Sequence, residues 1–243
     1  VKIAVTSSAF AALLRRGELT HLEWLEACAS RLDVDGVVFA LADFPRTDLE
    51  YAAQVKKVAT DLGIVPVALD VPGLLDPDRP EAARSDALVL AAAIGAALIR
   101  VTAGPPGELP PETFARTVAS TKAFASAAKA ANVTLTVAPD PASLLADVAA
   151  LQNFTKYVDS AWLRYDVPAA DPGRAQLGVR DRVLVERVAL DHPETASAVG
   201  RGWLVLEGDG GADPFGRVGA AVSALRSLER GGQRPQMPSV VPG

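Results

Sequence analysis

The sequence predicts one α/β domain folded as a parallel (β/α)8 TIM barrel, and three observations predict it. The chain has 243 residues, close to the roughly 250 typical of an eightfold barrel. Eight short apolar runs alternate with helical patterns, without the long hairpin signals of an antiparallel chain. The last run, Gly202 to Gly210 (GWLVLEGDG), is apolar from Trp203 to Leu206 and closes on Glu207, as suits a strand buried on both faces. An open doubly wound sheet is the second architecture this alternation allows.

Each unit has its own local signals. Lys2 to Val5 is a β-branched strand 1 followed by the polar Thr6-Ser7-Ser8, read as a loop. Thr20 caps a helix over His21 to Arg31, with Glu23 completing a capping box and Leu22, Leu25, Cys28 and Ala29 on one stripe. Strand 2 is Gly36 to Leu41, and its exit ADFPRTD leads into an amphipathic helix over Leu49 to Leu62, stopped by Gly63. Strand 3 runs from Ile64 to Asp70 and ends at a Pro72-Gly73 turn. A helix over Glu81 to Ile94 ends at Gly95, and ALIRVTAG supplies strand 4, with Arg100 inside it.

The second half is patterned less evenly. Residues 105–111 form a loop, Glu112 to Ala131 a helix and Val133 to Val137 strand 5, which leaves through Ala138-Pro139-Asp140. Ser143 to Leu151 reads as a helix and Ala161 to Asp166 as strand 6. Strand 7 is Val183 to Asp191 with His192 just beyond. Before it, Val167 to Asp181 holds two prolines and little periodicity, so the helix between strands 6 and 7 is expected to be short or missing. A short helical turn over Pro193 to Val199, strand 8 and a helix over Pro214 to Arg230 complete the barrel. Residues 1–230 are thus one domain, and 231–243 a Pro- and Gly-rich tail.

Composition removes several function classes. A net charge of −5 and an acidic pI give no basic surface for a polyanion, so no nucleic-acid partner is expected. No run reaches the roughly 18 apolar residues of a membrane span, and VKIAV reads as a strand rather than a leader, so a cytoplasmic protein is expected. The single cysteine, Cys28, lies on an apolar helical stripe and reads as a buried thiol. The exposed outer helices leave room for a homodimer.

Dinucleotide, P-loop, nucleophile-elbow and zinc motifs are absent, but barrel sites are assembled from separate strand ends. The strand-end acids are Asp70, Asp140, Asp166, Asp191 with His192, and Glu207. Such a ring of oxygen donors suits a divalent cation able to polarise a carbonyl or hydroxyl. Arg100, in mid-strand, is a candidate substrate anchor or an internal ion-pair partner. Arg46 and Asp48 either contact substrate or pair with each other. A period of two places Arg164 with Asp166, and Glu186 with Val188, so an Arg164–Glu186 pair inside the barrel is expected if both faces point inward.

FPRTD at Phe44 to Asp48, DLG at Asp61 to Gly63, YD at Tyr165-Asp166 and GWLVLE at Gly202 to Glu207, in this order and spacing, resemble the xylose isomerase-like TIM barrel superfamily. Its members include sugar isomerases and epimerases and endonuclease IV-type proteins. The resemblance spans nearly the whole chain. It implies a divalent metal (Mn, Mg or Zn) held by Glu after strand 5, Asp after strand 6, His after strand 7 and Glu after strand 8, the two glutamates also serving as acid and base. Asp166 and Glu207 match two of these positions. Ala138 and Val188 stand at the other two, leaving Asp140 and His192 as substitute ligands.

The resemblance therefore implies a sugar isomerase- or epimerase-like protein with an incomplete metal site. Its ligand would be a small polyhydroxylated carbohydrate, with Glu207 and Asp166 catalytic and Arg100, Asp70, Arg164 and Glu186 near the substrate. A non-catalytic small-molecule barrel that has lost the metal is the alternative, and an endonuclease IV-type repair enzyme a third.

Overall fold

The structure is a computed structural model, and it describes residues 1–102, 111–139, 145–170, 183–196 and 202–232. Eight parallel strands close on themselves in sequence order, β1 pairing with β8. They are β1 Lys2–Thr6, β2 Gly36–Ala40, β3 Val65–Asp70, β4 Leu98–Thr102, β5 Thr134–Ala138, β6 Leu163–Pro168, β7 Val183–Ala189 and β8 Trp203–Glu207. The described outer helices are α1 Ala11–Arg16, α2 His21–Arg31, α3 Leu49–Asp61, α4 Glu81–Ile94, α5 Pro111–Ala130, α6 Val148–Val158 and α7 Pro214–Gly232. None of them is long and apolar enough to cross a membrane.

The local signals explain the helix ends. Thr20 accepts from the Glu23 amide while the Glu23 carboxylate accepts from the Thr20 amide, the capping box expected at α2. Asp48 caps α3 by accepting from the Tyr51 amide. The same carboxylate takes two hydrogen bonds from Arg46, at 2.5 and 2.9 Å, so this pair shapes the β2 exit. Arg46, with the Tyr51 amide helping, holds the Asp48 carboxyl well below its ordinary range.

Where the structure departs from the sequence reading, the reasons are local. The stretch after β1 is a 3-10 turn, Ser7–Phe10, leading into α1 rather than a loop. Thr6 caps the turn, and Gly17 ends α1 in the left-handed conformation that a residue with a Cβ adopts only at a cost. Helix α6 starts at Val148, behind an Asp147 cap, and runs to Val158, beyond the expected Ser143–Leu151. Strand β7 stops at Ala189, two residues before Asp191. The segment expected to carry a short or missing helix between β6 and β7 lies mostly outside the described residues, as does the tail beyond 232.

Alternation along the strands sorts apolar side chains into two layers. Ala4, Val38, Ala68, Leu98, Val185 and Val205 pack together inside the barrel, with Trp203 against them. Their strand neighbours, among them Ile3, Val37, Leu69, Ile99, Val188 and Leu206, join the larger core between barrel and helices. Gly36 marks a tight approach. A Cβ built there would lie 2.6 Å from Val67 Cγ2 and 2.7 Å from the Val65 carbonyl oxygen. Gly36→Ala is therefore an overpacking change, expected to lower unfolding free energy by about 1–3 kcal/mol in a denaturant titration.

His21, on α2, is 2% exposed and enclosed by aromatics: it stacks on Phe44 at 4.9 Å between centroids and meets Trp24 and Phe39 near 6 Å. Burial lowers its pKa to about 4, against the opposing pull of Asp43. The folded state thus holds the neutral ring, and the stability this provides is present above the ordinary value of about 6.5 and lost as pH falls towards 4. His21→Phe should remove about 3 kcal/mol of that acid-side loss, read as the difference between unfolding free energies measured at pH 7 and near pH 4.

Candidate functional site

The C-terminal ends of five strands converge on one charged cluster. Asp70 closes β3, Arg100 lies in β4, Asp166 in β6, Arg187 in β7, and Glu207 closes β8. In each of β4, β7 and β8 the residue two positions earlier, Leu98, Val185 and Val205, belongs to the interior apolar layer, so Arg100, Arg187 and Glu207 also point inward. Register sets Asp70 directly beside Arg100.

The pairs are specific. Arg100 donates from Nε to Asp166 Oδ2 at 2.6 Å and from Nη2 to Glu207 Oε2 at 2.9 Å. Arg187 brings Nε to 3.1 Å from Asp166 Oδ1 and Nη1 to 3.4 Å from Glu207 Oε1, and donates from Nη2 to the Pro139 carbonyl at 3.3 Å. Each guanidinium therefore spans both carboxylates, and each carboxylate meets both guanidiniums. Arg100 Nη1 stands 3.9 Å from Asp70 Oδ2 and has no hydrogen-bond partner among the described residues.

Depth separates the members. The side chains of Asp166 and Arg100 are 1% and 6% exposed, Arg187 19%, and Asp70 and Glu207 30% each, so the last three form the rim. Burial opposes charge on Arg100, but Asp166, Asp70 and Glu207 outweigh it and hold the guanidinium firmly protonated. Asp70 is raised, chiefly by burial, with Asp166 and Glu207 adding to the rise and Arg100 opposing it. Two cations and three acids leave the cluster near neutrality. A free anion finds little net attraction there, and Arg100 is engaged internally rather than presented as an anion anchor.

The other candidates lie elsewhere. Val188, set against the strand-7 ligand position, sits in the outer apolar layer; Glu186 shares its face and pairs in register with Val167 of that layer. Arg164 is on the inward face of β6 with Asp166, so the expected interior Arg164–Glu186 pair does not form: the two are on opposite faces of the sheet. His192 is exposed and pairs with Glu194 at 3.1 Å, while Asp191 pairs with Arg217. Asp140 lies outside the described residues. Cys28 is fully buried, its thiol pushed up by burial.

Arg187 is the residue the sequence reading missed. β7 carries two adjacent charges, Glu186 and Arg187, in an apolar run, so strand alternation sends one of them inward. A register shift where β6 meets β7 hides which one. The expected divalent cation fits this donor set poorly. Every oxygen of Asp166 and Glu207 faces a guanidinium, and no group of three His, Cys, Asp or Glu side chains among the described residues could hold a metal.

No family model and no curated protein sequence matches the chain. Solved structures do. A D-psicose 3-epimerase from Clostridium cellulolyticum H10 superposes with a TM-score of 0.75 at 15% identity, covering 94% of this chain and 99% of that one. A xylose isomerase domain containing protein from Salmonella typhimurium gives 0.72 at 14% identity, covering 94% and 97%. An AP endonuclease, family 2, from Brucella melitensis gives 0.70 at 14%, covering 89% and 96%. With its closed ring of eight parallel strands in sequence order, the chain has the xylose isomerase-like TIM barrel fold.

Proposed function

We propose that the mouth of the barrel binds a neutral, polyhydroxylated, carbohydrate-like molecule and that the chain is a sugar isomerase- or epimerase-type protein. One observation carries this reading: Arg100 Nη1, a buried donor with no hydrogen-bond partner among the described residues, stands 3.9 Å from the partly exposed Asp70, while Nη2 of the same guanidinium holds the partly exposed Glu207. A ligand carbonyl oxygen hydrogen-bonded to Nη1 would be polarised by a fixed cation as negative charge develops on it. Glu207 then takes the proton from the neighbouring carbon, and Asp70, biased towards its protonated form, gives one back. The near-neutral cluster favours a ligand without net charge, and the epimerase among the structural neighbours agrees with a sugar. A single, buried Cys28, which can form no disulfide within the chain, suits the reducing cytoplasm.

A second reading, a barrel that binds without turning over, is favoured by the engagement of both Glu207 oxygens with guanidiniums, which occupy the atoms that would have to reach a ligand proton. Solvent-deuterium exchange separates the two. Incubated in deuterium oxide with a panel of ketoses and aldoses, the protein should label the carbon beside the carbonyl of one of them. Glu207→Gln and Asp70→Asn should each slow that exchange by about 10²–10⁴-fold. Saturable binding with no exchange would leave the binding barrel.

A further inference from the structure

We infer that the guanidinium of Arg187, braced by Arg100, occupies the place of a divalent cation, so that this barrel works with a cation fixed in its own chain and takes up no metal at its mouth. The geometry is that of a bound ion. Arg187 springs from β7 and reaches the Pro139 carbonyl after β5, Asp166 on β6 and Glu207 on β8. These four consecutive strand ends are the ones that would together surround a metal. Its contacts, 3.1 to 3.4 Å long, are hydrogen-bond and ion-pair distances, where a metal would draw the same oxygens to roughly 2.0–2.6 Å.

Charge leads to the same place. Arg100 and Arg187 each bridge Asp166 and Glu207, closing a ring in which positive and negative groups alternate. Two unit charges on two carboxylates equal the balance that one divalent ion would strike. A metal entering the ring would have to displace guanidiniums already paired with its ligands while sitting within their positive field. The departures from the expected ligand set then belong together: with Arg187 filling the centre, Ala138 and an outward-facing Val188 leave no vacancy to fill.

The inference concerns the same site as the proposed activity but not its chemistry, and its test reads metal rather than turnover. Purified protein is analysed for metal content and melted in chelator and in added Mn2+, Mg2+ or Zn2+. No stoichiometric metal and no change in Tm is the expected result. One metal per chain, or a Tm that falls in chelator, would overturn the inference whatever the outcome of the exchange assay. Arg187→His opens the centre and offers an imidazole beside Asp166 and Glu207. It should melt below wild type in chelator and rise by roughly 5–10 °C in Mn2+ or Zn2+ at about 100 times its Kd. An Arg187→His protein as stable as wild type and indifferent to metal would count against Arg187 as the occupant. If that variant does not accumulate folded, the wild-type metal content and melts decide.

Discussion

The charge alternation of Asp166, Arg100, Glu207 and Arg187 is the constraint on which the upper half of the barrel depends. Asp166 is 1% exposed on its side chain, and taking away both of its guanidinium partners would leave an uncompensated buried charge, an effect of about 3–5 kcal/mol. Replacing a whole buried ionic group by apolar residues is often neutral or stabilising. The barrel itself demonstrates the apolar solution, because the layer beneath is closed by Ala4, Val38, Ala68, Leu98, Val185 and Val205. Stability therefore gives no reason to keep four charges in the layer above. Their position at the strand C-termini, where barrels place their sites, gives one.

Closure of the sheet makes the ring possible. Arg100, Asp166 and Glu207 come from even-numbered strands, and Asp70 and Arg187 from odd ones, in keeping with the layering of barrel interiors by alternate strands. Groups 66 and 107 residues apart in sequence meet because eight strands complete the circle. The register beside Asp70 and the shift between β6 and β7 then set which residues stand level on neighbouring strands.

The barrel was legible in the sequence because its signals are local. Capped helices such as α2 and α3 and the apolar runs of the strands need no knowledge of distant partners. Asp166, Glu207, Asp70 and Arg100 were legible as strand-end or mid-strand charges, though not as one network. What escaped was phase. When both faces of a strand are apolar, alternation leaves unsaid which face is inward. The ligand position that the resemblance implies falls on Val188, which lies in the outer layer, whereas its neighbour Arg187 faces inward. Helix α1 escaped because its AALLRR pattern is too short to show a period, and the bounds of α6, though not the helix itself, because its start is set by the Asp147 cap rather than by its apolar stripe.

A fold shared with an epimerase and an AP endonuclease does not choose between their chemistries; the site does. A guanidinium differs from a metal ion in ways that restrict the choice. It offers donors in fixed directions, accepts no ligand into a coordination sphere and does not lower the pKa of a bound water as zinc does. An oxygen of the ligand can meet it only as a hydrogen-bond acceptor, at a nitrogen not already taken. Arg100 Nη1 is such a nitrogen, and Asp70 lies beside it with its pKa raised. An ionised Asp70 would add a third negative charge to Asp166 and Glu207 around Arg100, and the group proposed to share a proton with the ligand would instead compete for the same donor. On the proposed reading, a ligand held at Nη1 would sense the charge on Asp70, a dependence that the fixed charge of the arginines cannot itself provide.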